Sequence, residues 1–131
     1  MKVFVTGACG FIGSNLIEYL FKKNIKVVAY TYYNSHNSIG LLKYCDKKII
    51  NKIKIISGDI RDFKRTKSAM KGCDSVIHLA ALIGIPYSYH SPESYIETNV
   101  NGTYNVLESS KDLGLKKIIL TSTSEVYGSA K

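Results

Sequence analysis

The feature that most constrains this chain is a glycine triplet at its start. Val3-Phe4-Val5-Thr6 is a short β-branched and aromatic run, and it leads directly into Gly7, Gly10 and Gly13, spaced Gly-x-x-Gly-x-x-Gly. Residues 11–23 then place Ile12, Leu16, Ile17, Leu20 and Phe21 at helical spacing and close on lysines and Asn24. A strand that passes through glycines straight into a helix has few structural solutions. Gly7 permits a tight turn, Gly10 lets the backbone approach a bound group, and Gly13 lets the helix pack closely on the strand. The free N–H groups and positive end of that helix then face an anion, here the pyrophosphate of a dinucleotide. A triplet alone is also what a merely tight turn gives. The flanking strand, the amphipathic helix and the next strand pattern at residues 26–32 favour the cofactor reading.

The rest of the chain keeps the same alternation. Strand patterns recur at residues 54–57, 75–79 and 117–121, and helical patterns at 63–71 and 94–113. Gly72 and Gly114 close those two helices. The strands are almost wholly apolar, which argues for a parallel sheet covered on both faces. Right-handed crossovers make this α/β class a doubly wound parallel sheet, a Rossmann arrangement ending after about five strands. Residues 33–51 are less regular and read as loop with a short helix. Ligands of such sheets sit at the carboxyl ends of the strands. Residues 1–131 therefore read as one NAD(P)-binding domain that is itself incomplete, lacking a C-terminal substrate domain.

Composition excludes several classes. The chain has 131 residues, enough to bury a core without disulfides, and 45% of them are hydrophobic. Its apolar runs are too short to span a bilayer, and its first residues lack the pattern of a secretory signal. A cytoplasmic location and no membrane partner are therefore expected. Cys9, Cys45 and Cys73 make no Cys-x-x-Cys pair, so neither a zinc site nor a disulfide framework is expected. The net charge of +8 comes from lysines scattered along the sequence, with no basic stripe interleaved with aromatics. A generic lysine-rich surface is expected rather than a nucleic-acid footprint.

The Gly-x-x-Gly-x-x-Gly spacing, with Thr6 and Phe11-Ile12 beside it, resembles the extended short-chain dehydrogenase/reductase family, which includes the sugar-nucleotide epimerases and dehydratases. His78-Leu79-Ala80-Ala81, the segment from Tyr95 to Thr103, and Thr121-Ser122-Thr123-Ser124-Glu125-Val126-Tyr127-Gly128 match the family too, so the resemblance covers essentially the whole chain. Two stretches, residues 32–38 and 81–95, look like the GDP-N-acetylglucosamine 4,6-dehydratases of legionaminic acid biosynthesis. The resemblance implies an NAD(P) cofactor, a nucleotide-sugar substrate and a homodimer for the full-length enzyme.

It also implies site residues. Gly7, Gly10, Phe11, Ile12 and Gly13 would hold the pyrophosphate. Asn34 and Ser35 would lie by the ribose, and Asp59 and Ile60 by the adenine. Leu79, Ala80 and Ala81 would let the cofactor approach, and Asn99 would support the active-site region. An aspartate such as Asp59 is also a common helix N-terminal residue. The end of the second strand offers neither a carboxylate for the ribose hydroxyls nor an arginine for a 2′-phosphate, so NAD and NADP both stay open.

The family chemistry moves hydride from sugar C4 to the nicotinamide, loses water across C5 and C6, and returns hydride to C6. By resemblance Glu125 would remove the C5 proton and Thr123 would hydrogen-bond the substrate or a catalytic tyrosine. Ser124 stands where many members carry an aspartate acid. A polar turn after a strand would use the same residue types. Tyr127 and Lys131 satisfy the spacing Tyr-x-x-x-Lys, but Gly128 disfavours a helix there. The family's working pair lies further along the chain, so this pair is expected to be a decoy and the chain to be inactive alone. Two alternatives stand beside the dehydratase reading: an epimerase fragment, against which Glu125 speaks, and a non-catalytic cofactor-binding remnant.

Overall fold

A computed structural model describes residues 1–129. Its strands are β1 (Lys2–Thr6), β2 (Lys26–Tyr32), β3 (Lys54–Gly58), β4 (Ser75–His78) and β5 (Lys117–Leu120). They form one five-stranded sheet in the order β3-β2-β1-β4-β5, with every neighbouring pair parallel. The helices are α1 (Phe11–Lys22), α2 (Lys47–Ile50), α3 (Phe63–Met70), α4 (Ile85–His90), α5 (Pro92–Tyr95) and α6 (Gly102–Asp112). The doubly wound sheet expected from the sequence is the sheet observed.

Alternation along the strands divides the core between the two faces. Val3 and Val5 point to one face and pack with Ile17 and Leu20 of α1, Ala29 and Leu42. Phe4 points to the other and packs with Val28, Tyr30, Met70, Val76 and Val106. Each strand is thus apolar on both sides, which is why its sequence shows no polar alternation. Connections run from β1 outward to β2 and β3, then return to β4 and β5. The strand order therefore switches direction between β1 and β4, the place where sheets of this kind form a ligand crevice at the carboxyl ends of their strands.

Three regions differ in detail from expectation. Residues 33–51 hold two short helical pieces, a 3-10 run (Gly40–Tyr44) and α2, rather than one. Leu42 and Ile49, both buried, anchor them. The helix expected over residues 94–113 is interrupted: α5 passes into a π-helical segment (Ile96–Asn101) before α6. Finally, β5 is apolar but uncovered, with Ile118, Ile119 and Leu120 39%, 44% and 49% exposed.

Candidate functional site: a phosphate loop at the strand-order switch

The glycine loop joins β1 to α1 beside the crevice. Gly7 has φ +63, a left-handed conformation that a side chain would strain. A Cβ there would also meet the Ala80 nitrogen at 2.8 Å, so the turn lies directly against the chain leaving β4. A Cβ on Gly13 would collide with the Gly7 carbonyl oxygen and with Ala8 backbone. Gly10 is the N-cap of α1 and brings no capping side chain. The Gly10 N–H donates to the Gly7 carbonyl at 3.0 Å and the Ser14 N–H to the Gly10 carbonyl at 3.0 Å. The N–H groups of Phe11, Ile12 and Gly13 have no acceptor among the described residues. Uncapped donors on a 12-residue helix with no acid in its first turn are the donor set a pyrophosphate requires.

The floor of the crevice is fixed by a buried polar network. His78 ends β4, is 3% exposed, and pairs in register with Thr6 of β1. The Leu79 and Ala80 N–H groups both donate to Thr6 Oγ1 at 3.1 Å. Thr6 must therefore spend its own proton on His78 Nδ1, 2.6 Å away. That leaves the His78 proton on Nε2, which donates to Thr103 Oγ1 at 3.0 Å. Thr103 in turn donates to the Asn99 carbonyl at 2.7 Å. Every donor in this chain points the same way, which fixes the neutral tautomer. Burial pushes the His78 pKa down to about 4, so the ring stays uncharged at neutral pH.

Asn99 lies in the π-helical segment and grips the loop after β4. Its Oδ1 accepts from the Leu82 N–H and its Nδ2 donates to the Leu82 carbonyl, both at 2.8 Å. Each polar end of the side chain thus makes one bond to the loop, and Asn99 holds that loop in place. A π-helical turn at such a point is common at functional sites.

At the β2–β3 side the expected residues divide. Asn34 folds its own loop: its Oδ1 accepts from the Ser38 N–H and its Nδ2 donates to the Tyr32 and Ser38 carbonyls. Ser35 beside it is exposed. Asp59 does not cap a helix; the cap of α3 is Asp62, whose carboxylate accepts from the Arg65 N–H at 2.9 Å. Asp59 instead takes the Arg61 guanidinium in a fork, with Nη2 at 2.6 Å and Nε at 3.0 Å. That hydrogen bonding holds the Asp59 pKa below its usual value. Ile60 is 7% exposed, and its side chain packs where a Cβ on Gly102 would fall. Asn105 Nδ2 holds the backbone of this turn by donating to the Ile60 and Arg61 carbonyls.

Beyond β5, Ser124–Tyr127 forms a single 3-10 turn. Thr123 caps it, its Oγ1 accepting from the Glu125 N–H at 3.2 Å. Thr123, Ser124 and Glu125 are all exposed. Gly128, at φ +69, closes the turn, so Tyr127 stands on no continuing helix among the described residues. Lys131, its partner in the Tyr-x-x-x-Lys spacing, lies outside the described residues. The fold thus gathers the glycine loop, Leu79-Ala80-Ala81, the Asn99 clamp and the Thr123–Glu125 turn at one edge of the sheet. Sequence reasoning missed the roles of Thr6, Thr103, Arg61 and Asn105. The available signal was His78, a polar residue in an otherwise apolar strand, which must find partners when buried.

Comparison with known proteins bears on this geometry. Residues 4–131 match the family described as GDP-mannose 4,6 dehydratase. A UDP-glucuronate 4-epimerase of Thermodesulfobacterium geofontis is 37% identical over 94% of this chain and 39% of its own length. A dTDP-D-glucose 4,6-dehydratase of Dictyostelium discoideum is 38% identical over 98% of this chain and 30% of its own. The crystal structure of a dTDP-glucose 4,6-dehydratase from Streptomyces venezuelae, with NAD bound, superposes with a TM-score of 0.86 at 29% identity, covering 100% of this chain and 42% of that one. The chain therefore spans well under half the length of these relatives.

Proposed function

The chain belongs to the GDP-mannose 4,6 dehydratase family, and from that premise we propose that it supplies the NAD(P)-binding part of a sugar-nucleotide 4,6-dehydratase acting on GDP-N-acetylglucosamine. The observation that carries the reading is the uncapped α1 N-terminus at the switch between β1 and β4, with Glu125 on a turn at the same sheet edge. The bound nicotinamide would supply a hydride acceptor and donor. The chain's own residues would hold the pyrophosphate through the Phe11, Ile12 and Gly13 N–H groups and keep the floor in place through Thr6 and Asn99. Glu125 would take a proton from the sugar. The working Tyr-x-x-x-Lys pair would be one on a helix well beyond the segment from Thr121 to Gly128, not Tyr127 and Lys131, and a legionaminic acid precursor would be the product class.

An epimerase is the second reading, supported by the relative of that name. Glu125 distinguishes the two, because epimerisation at C4 needs no base at C5. The test is incubation of the chain with NAD or NADP and GDP-N-acetylglucosamine, followed by detection of a 4-keto product. The proposal expects cofactor binding without turnover. Turnover by this chain alone would return Tyr127 and Lys131 to the catalytic role.

A further inference from the structure

We infer that the sheet edge opposite the phosphate loop is a docking surface for an anionic phospholipid bilayer. Lysines scattered in sequence converge there because of the topology. In a parallel sheet all strand beginnings lie at one edge, and here β1, β2, β3 and β5 begin with Lys2, Lys26, Lys54 and Lys117. Lys2 pairs in register with Lys26, Lys117 stands level with Val3 through Ser75 of β4, and Lys54 pairs with Val28, so these charges form a staggered row across the sheet, roughly 20 Å long at ordinary strand spacing. The helices return their carboxyl ends to this same edge, adding Lys22, Lys23 and Lys71.

Cations at helix ends also offset the helix dipole, but that reason does not extend to the strand starts. Among the described residues, no ion pair neutralises Lys2, Lys26, Lys54 or Lys117. Of the acids at this edge, Asp74 is occupied by the Met1 amino group at 4.0 Å and the Lys2 N–H at 2.7 Å, and Asp112, at the end of α6, by the Lys67 ammonium.

The chemistry of the row fits lipid headgroups better than nucleic acid. Arg61 and Arg65, with their bidentate forks, stand at the other end of β3. The strand starts offer compact ammonium charges, and the exposed ring beside this patch, Tyr19 under the Lys23 ammonium at 5.7 Å, stands at its margin rather than interleaved with the lysines. Met1 adds an apolar side chain, 73% exposed. The absence of a membrane-spanning helix does not bear on such a surface contact, which needs none. Docked this way, the crevice between β1 and β4 faces away from the bilayer and stays open to solution. The inference does not depend on which nucleotide sugar is bound.

The test is co-sedimentation of the whole chain with phosphatidylcholine vesicles that contain about 30 mol % phosphatidylglycerol or none. Two variants carry equal charge changes: Lys26→Glu with Lys54→Glu at the edge, and Lys43→Glu with Lys64→Glu away from it. Circular dichroism checks that both fold, and Lys26→Gln with Lys54→Gln repeats the edge test with a milder change. The expected result is binding to anionic vesicles only, released by about 0.5 M salt. The edge variant should lose about tenfold in partitioning and the control less than about twofold. Absence of binding, or equal losses in both variants, would overturn the inference. So would tighter retention by duplex RNA than by vesicles at the same salt, with the edge variant abolishing it.

Discussion

Gly13 shows how much of a site one residue can decide. It was legible in the sequence because a glycine between a strand and a helix must answer to backbone geometry, and the collision of a Cβ with the Gly7 carbonyl supplies the reason. Gly13→Ala should weaken NAD(P) binding at least about tenfold and destabilise the fold by about 1–3 kcal/mol, read by calorimetric titration and denaturant unfolding. An alanine variant with unchanged affinity would remove the loop from the site. His78 was less legible, since its partners Thr6 and Thr103 are far from it in sequence and only the register brings Thr6 alongside. Its folded pKa of about 4 lies below the ordinary value of 6.5. The unfolded chain therefore binds a proton that the folded chain refuses as pH falls from 6.5 towards 4. Stability should be level above that window and decline through it, by at most about 3 kcal/mol. His78→Gln should flatten this decline; an unaltered pH profile in the variant would show that other groups cause it.

At the scale of elements, the strands were read almost to the residue, whereas the helices after β4 were not. A strand buried on both faces announces itself by a continuous apolar run. The path from Ala81 to Asp112 is instead built by local bonds that periodicity does not encode. Pro92 starts α5, and the two Asn99–Leu82 bonds fasten the loop to the π-helical segment beyond it. The same limit applies to Asn34: its residue type suited a ribose contact, but the structure spends its amide on the Ser38 turn. Asn99→Ala should leave the Leu82 N–H and carbonyl without these partners and cost about 1–3 kcal/mol. Hydrogen exchange at Leu82 should accelerate in step. Unchanged protection at Leu82 would mean that the clamp does not hold the loop.

For the whole molecule, two surfaces follow from the strand order and could not be read from any one segment. The first is the uncovered β5, with its exposed Ile118, Ile119 and Leu120. An unpaired apolar edge promotes association, so the chain should self-associate with rising concentration in analytical ultracentrifugation, and Ile119→Lys should suppress this. A monomer at every concentration would contradict that reading. The second is the crevice between β1 and β4, where residues 72 positions apart in sequence, Thr6 and His78, stand side by side. There the uncapped first turn of α1 is proposed to hold a dinucleotide pyrophosphate. Calorimetric titration of the folded chain with NAD and with NADP tests this most directly. Saturable one-to-one binding of at least one of them is expected, weakened at least about tenfold in Gly13→Ala. A chain that is folded by circular dichroism yet binds neither at millimolar concentration would contradict it.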